Sequence, residues 1–278
     1  MIVSETVDLG IADKPDELIR LFGVDQAWYD YSNAEHKLWQ RLHTRQSALL
    51  EGRAAGEFLD GIHALDLHGD GIPDFEVLSE KLLALTGWRV IPVAGLIPDE
   101  AFFGMLAARL FPAARFLRRE DQLDYISEPD IFHDVFGHVP MLTNPVFADY
   151  LQAYGAGGLR AMGFGALDQL ARLYWYTVEF GLIETSDGLR IYGSGIVSSP
   201  SETQYAVESA VPNRIRFDLK RVMRTLYEID DLQKSYFVIR SYGELFEATG
   251  QDFGPIYRSL AGAETIPSDG RIADDILV

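Results

Sequence analysis

Cysteine is absent from the 278 residues of this chain. Disulfides, iron–sulfur clusters, thiolate-ligated haem and cysteine-based zinc sites are thereby excluded. Basic residues are scarce, with 24 Lys and Arg against 42 Asp and Glu, a formal charge of -18. So acidic a chain repels phosphate backbones and anionic lipid, and neither nucleic acid nor a membrane is an expected partner. No stretch reaches the ~18 uncharged apolar residues that a spanning helix needs. The N-terminus, MIVSETVDLGIADKPDEL, lacks the basic n-region and apolar h-region of a secretory signal. A cytoplasmic protein is the expectation. Internal repeats, low-complexity tracts and linkers are lacking as well. Residues 1–25 are expected as an N-terminal arm and residues 26–278 as a single domain.

Hydrophobic residues make up 47% of the chain, enough to build a sizeable core. From Asn33 to about Leu65, Leu38, Leu42, Leu49, Phe58 and Ile62 recur at near-helical intervals. A turn at 68–74 leads to a helix around 74–85, ended by Gly87 in a left-handed conformation. Trp88 to Val93 is predicted as a short strand broken by Pro92. Pro98 and Asp99 open another helix, which Pro112 closes, and residues 114–117 follow as a short strand. Helices are expected around 129–136, 145–154, 167–182, 201–209 and 217–226. LIETSDGLRIYG predicts a hairpin turning at Asp187-Gly188, and Tyr236 to Ile239 a strand. The fold class is mostly α with a few short β-strands (α+β). The strands are too few and scattered for a doubly wound sheet.

Chemistry concentrates in EPDIFHDVFGHVP (128–140), where His133 and His138 stand five residues apart. On an ideal helix five steps of ~100° leave the rings roughly 140° apart, too far around to share a metal. Gly137 offers a way out. A left-handed glycine would end the helix and turn the chain back, with Pro140 preventing its resumption, and the two rings would converge. A helix end whose histidines merely meet the dipole is the plainer alternative. The stretch LARLYWYTVEFGLI (170–183) is apolar nearly all round, and Glu179 is its only acid. A carboxylate inside a core needs a cation, either an arginine such as Arg172 or a metal. Two imidazoles with one carboxylate form the facial set of a non-haem Fe(II) oxygenase. They equally form a hydrolytic zinc site, for which Asp134 is the nearest base. Asp66, His68, Asp70 and Asp74 cluster in a Gly-rich turn but lack calcium-loop spacing, which favours a solvated turn over a cation site.

The chain is similar to the aromatic amino acid hydroxylases, and among them to the single-domain bacterial phenylalanine 4-hydroxylases. The segments that carry the likeness are TGWRVIPVAGL (86–96), FLRREDQLDY (116–125), EPDIFHDVFGHVPMLTNPVFADY (128–150) and LYWYTVEFGLI (173–183). YGSGIVSSPSE (192–202) and RTLYEIDDLQKSYFVI (224–239) extend it. The resemblance implies a catalytic domain that binds Fe(II) through His133, His138 and Glu179. It implies insertion of one oxygen atom of O2 into the ring of L-phenylalanine, giving L-tyrosine, with a tetrahydropterin supplying two electrons. Arg118 is implied as the grip on the substrate carboxylate, although composition alone favours Arg119 equally. Tyr125, Trp175, Gly195 and Ser198 are implied as lining the amino acid pocket. Leu96, Ile97, Phe102, Asp134 and Tyr174 are implied around the pterin.

Three positions depart from the family pattern. Ile126-Ser127 replaces a Thr-Pro pair near the substrate, and Leu232 replaces a usual phenylalanine. The regulatory and oligomerisation segments of animal members have no counterpart here, so a monomer is expected. The same machinery acting on tryptophan or tyrosine, or at another ring position, is the nearest alternative function.

Overall fold

The computed structural model describes Gly10, residues 13–124 and residues 126–278. Helices α1 (Pro15–Phe22), α2 (Asn33–Leu50), α3 (Gly56–Ala64) and α4 (Phe75–Leu85) lead into strand β1 (Arg89–Val93), helix α5 (Asp99–Ala107) and strand β2 (Leu110–Ala114). Two π-helical segments, Phe132–His138 and Trp175–Glu179, flank a 3-10 turn (Val139–Thr143), helix α6 (Pro145–Phe164) and helix α7 (Leu167–Tyr174). Then come β3 (Leu182–Thr185), β4 (Gly188–Ile191), α8 (Ser194–Val197), α9 (Pro200–Glu208) and β5 (Asn213–Arg216). Helix α10 (Leu219–Arg224), β6 (Ser235–Ile239), α11 (Tyr242–Thr249) and α12 (Phe253–Leu260) complete the order. The protein is mostly helical, with β1 and β2 paired in parallel and a second sheet in the order β4-β3-β6-β5.

Local chemistry accounts for most boundaries. Ser32 caps α2 in a reciprocal box with Glu35, and the Asp74 carboxylate accepts the Glu76 N–H to start α4. Gly87 follows α4 at φ +77°, as expected. One large core runs through the helices and the four-stranded sheet. A smaller cluster, Leu18 with Ile91, Ala101, Met105 and Leu110, packs α1 onto α5 and β1.

Several expectations need correction. The periodic stretch from Asn33 is two helices, because Glu51 and Gly52 turn the chain while both pieces face one core. Pro92 does not break β1, and Pro112 lies inside β2 rather than after a helix. The N–H groups of Val90 and Ala114 go to Ser79 and Asp134 rather than across the ladder, and Pro92 and Pro112, each two residues away, face the same outer sides, so their missing N–H costs no β1–β2 bond. Arg109 ends α5 instead, at φ +58°. Its guanidinium is held by Gln152 at 2.9 Å, by Asp149 and by the Thr86 carbonyl. The strand expected at 114–117 therefore begins at Leu110. The hairpin turns through Ser186 and Asp187, with Gly188 at φ +101° as the first residue of β4. Strand β5 and helices α11 and α12 had no sequence signal that we read. Among the described residues, the acidic turn does not bring its carboxylates together as a metal-ligand group. Asp66 pairs with Lys81 at 2.6 Å and His68 at 3.3 Å, while Asp74 is spent on its cap.

Candidate active site

Gly137 does not turn the chain back. Its φ is not positive, and the backbone winds from Phe132 to His138 as a π-helix before continuing into the 3-10 turn at Val139–Thr143. A turn closed by i→i+5 bonds brings residues five apart onto one face, which the α-helical geometry denies them. His133 Nε2 and His138 Nε2 come to 3.3 Å. Pro140 sits at the start of the 3-10 turn, where its missing N–H costs nothing. Gly137 is required for a different reason. A Cβ there would lie 3.1 Å from the Ser194 carbonyl oxygen and 3.2 Å from its Cβ, so the glycine lets α8 press against the histidine segment.

Glu179 ends the second π-helical segment, whose Phe180 N–H reaches back to the Trp175 carbonyl at 2.8 Å. Its Oε1 lies 3.2 Å from His138 Nε2 and its Oε2 3.6 Å from His133 Nε2. Donors bonded to one ion at about 2.1 Å, at angles of 90° to 109°, stand roughly 3.0–3.4 Å apart. Two sides, 3.2 and 3.3 Å, fall in that range, and the third, 3.6 Å to the other carboxylate oxygen, lies just outside it, so the three groups converge on one point. Asp134 forms an alternative set with the two histidines, its oxygen and their ring nitrogens lying within 4.8 Å of one another. Its Oδ2 already accepts the Ala114 N–H at 2.7 Å, and Glu179 is the nearer carboxylate to both rings.

Neighbouring hydroxyls orient the donors. Ser198 Oγ donates its one proton to the Ser194 carbonyl at 2.7 Å, so it accepts from His133 Nδ1 at 2.9 Å. That fixes the tautomer that turns the His133 Nε2 lone pair toward Glu179. Ser194 Oγ donates to Glu179 Oε2 at 2.8 Å. Burial opposes a charged His133 ring, but the Glu179 carboxylate outweighs it and lifts the ring above the usual imidazole range. Burial also opposes the Glu179 anion, and the charges of His138 and His133 outweigh it, holding the group well below the usual carboxylate range. Burial pushes Asp134 up to about 6, against the pull of both imidazoles.

All three side chains sit on the wall of a cavity of about 850 Å³. Arg118, Trp175, Gly195, Ser198, Leu96, Ile97, Phe102, Asp134 and Tyr174 line the same cavity. Tyr125 lies outside the described residues. Arg118 and Arg119, equal by composition, differ completely in place. Arg119 is exposed and pairs with exposed Asp121. Arg118 is buried, with Nε and Nη2 each 2.8 Å from the Asp130 carboxylate and its guanidinium 5.6 Å from the Phe132 ring centre. Its Nη1 has no protein partner among the described residues, which leaves that end of the fork for a ligand.

Sequence reading missed several contributors. Asp130 is fully buried and accepts four hydrogen bonds, from the Arg118 side chain twice and from the Arg118 and His133 N–H groups. Burial opposes its charge, but the Arg118 pairing wins and holds the carboxyl below its ordinary range. Its place three residues before His133 was the available signal. Phe180 and Tyr227 flank Trp175, at ring-centre distances of 4.8 and 4.3 Å, the latter stacked at 16°. Gly195 makes room for this wall, since a Cβ there would sit 2.8 Å from the Phe180 ring. Phe180 and Tyr227 carry no charge or spacing that separates them from core aromatics. Phe102 meets Tyr174 edge-on at 5.9 Å, across the cavity wall from α5 to α7.

The family profile described as biopterin-dependent aromatic amino acid hydroxylase matches residues 22–253. A phenylalanine-4-hydroxylase of Caulobacter vibrioides is 60% identical over 252 residues, covering 88% of this chain and 86% of the relative. Two crystal structures of phenylalanine hydroxylase from Chromobacterium violaceum, each 54% identical, superpose closely. The one with bound oxidised Fe(III) gives a TM-score of 0.90 over 92% of this chain and 94% of that one. The one bound to cobalt gives 0.91 over 92% and 93%. The chain therefore belongs to the biopterin-dependent aromatic amino acid hydroxylase family.

Proposed function

We propose that this protein is a phenylalanine 4-monooxygenase, converting L-phenylalanine to L-tyrosine at an iron held by His133, His138 and Glu179. The observation that carries the reading is the triangle of two ring nitrogens and one carboxylate, 3.2 to 3.6 Å on a side, at the wall of a large aromatic cavity. When bound, Fe(II) and a tetrahydropterin activate O2 and supply two electrons, so that one oxygen atom enters the ring and the other leaves on the pterin. The protein's share is placement and exclusion of water. The open end of the Arg118 fork takes the amino acid carboxylate, and the wall of Trp175, Phe180 and Tyr227 receives a flat side chain. Phe102, Tyr174, Asp134, Leu96 and Ile97 are assigned to the pterin. The reading extends to a cytoplasmic monomer whose only ligands are small molecules, in keeping with a charge of -18. Among the described residues no helix is long and apolar enough to cross a membrane.

The test loads the protein with Fe(II) and supplies a tetrahydropterin and O2 with phenylalanine, tyrosine or tryptophan in turn, identifying products by mass spectrometry. Tyrosine from phenylalanine is expected as the fastest product. No hydroxylated product from any of the three overturns the reading, and a faster reaction of tryptophan redirects it. Ser198→Ala frees the His133 ring from its orienting partner and is expected to weaken iron binding or turnover roughly 10–100-fold. Metal titration of the folded variant checks this. An unchanged affinity and rate would mean that another contact fixes the imidazole.

A further inference from the structure

The cavity wall holds a buried carboxylate that the reading above leaves unused. Glu202 stands in the first turn of α9 and is 4% exposed. Its Oε1 accepts the Gln233 N–H at 3.1 Å and the Tyr236 hydroxyl. Its Oε2 has no partner, and no Lys, Arg or His forms an ion pair with it, among the described residues. Glu202 lines the cavity nonetheless. Other buried acids differ: Asp130 is paired with Arg118 and Asp275 with Arg221, both at 2.8 Å. An anion buried without a counter-charge is costly, so a cation is missing from the protein's own inventory. Burial accordingly raises the Glu202 carboxyl above its ordinary range.

Connectivity places this acid on the substrate side. Gln233, whose N–H holds Glu202, also accepts the Trp175 indole N–H through its Oε1 at 2.8 Å. Ser198, the partner of His133, lies four residues earlier. Asp99, a second buried acid on the wall with an unpartnered oxygen, sits instead at the start of α5 beside Ile97 and Phe102, at the end assigned to the pterin. An α-amino acid carries a carboxylate and an ammonium on one carbon. Arg118 answers the first charge, and the described wall offers Glu202 for the second.

We infer that Glu202 Oε2 holds the α-ammonium group of the amino acid substrate, acting as a positioning residue that selects zwitterions; this rests on the hydroxylase reading. The probes are L-phenylalanine and 3-phenylpropanoate, which keeps the ring and carboxylate and lacks the amine. Calorimetry on the iron-loaded protein without pterin measures both affinities and avoids turnover. The intact protein should bind L-phenylalanine at least about 10-fold more tightly than 3-phenylpropanoate. Glu202→Gln preserves shape and an acceptor for Gln233, and should weaken L-phenylalanine roughly 10–100-fold while leaving 3-phenylpropanoate unchanged. Equal loss of both ligands would reduce Glu202 to a packing role and overturn the inference. So would equal affinities in the intact protein, or a preference lost in Asp99→Asn and kept in Glu202→Gln. If Glu202→Gln does not fold, Tyr236→Phe, which loosens Oε1 and keeps the ring, is read by the same ratio. An intact protein that ignores L-phenylalanine altogether refutes the hydroxylase reading and this inference with it; one that binds L-phenylalanine with Glu202 indifferent refutes the inference alone.

Discussion

Glu179→Gln is expected to lower kcat by more than about 100-fold, beyond the range usual for the partners that merely orient a ligand. The amide is nearly isosteric but neutral, and its NH2 group can turn a donor toward the imidazole lone pairs. Two of the three sides of the donor set end on this carboxylate, at 3.2 and 3.6 Å, and among the described residues no other acid lies as near both rings. The fold should survive. Glu179 is a largely buried anion, 15% exposed, whose partners are the site histidines and Ser194, so removing its charge should relieve desolvation while it weakens metal binding. Elemental analysis after dialysis against iron, product quantification and a thermal melt separate the outcomes. An iron-replete variant with full activity would dismiss Glu179 as a ligand and leave Asp134 as the carboxylate. A variant that fails to fold would assign Glu179 to structure first.

The sequence singled out His133, His138 and Glu179 as candidates more readily than it revealed how they come together. A lone acid in an apolar helix is legible because its cost is local, and Glu179 was found that way. Five-residue spacing between His133 and His138 was legible as a problem, with the wrong solution attached. A glycine suggests a left-handed stop, whereas here the stop is absent and the helix widens. The widened segment has α8 pressed to Gly137, and that contact is 57 residues away in the chain. The starts near Asn33 and residue 74 were placed from periodicity and the preceding turn, and the structure adds the caps at Ser32 and Asp74. Pro112 misled because a proline disrupts helices and central strands alike, and whether a strand has a free edge is a tertiary fact. The choice of Arg118 over Arg119 was likewise beyond composition, since burial against Phe132 and Asp130 decides it.

Asp130→Ala is expected to cost about 3–5 kcal/mol of stability, the usual penalty for leaving one member of a buried ion pair alone. In a chain of this size that corresponds to a fall in Tm on the order of 10 °C. Asp130 is 0% exposed and Arg118 6%, so solvent cannot replace the lost partner. The damage should reach the site twice over. The His133 N–H loses an acceptor at 3.0 Å, and the Arg118 fork loses both bonds that aim its free end into the cavity. The pH dependence has a definite sign. A carboxyl held below its ordinary range in the folded state contributes stability that is complete above the unfolded value, near 3.9, and is lost as pH falls through the folded value. Melting curves from pH 7 to pH 3 should therefore show the intact protein losing stability in acid more steeply than Asp130→Asn, the two converging as the native carboxyl protonates. Parallel curves, or a Tm within about 2 °C of the parent for Asp130→Ala, would mean that Arg118 finds another counter-charge. The buried pair would then no longer be what ties Arg118 to the start of the histidine segment.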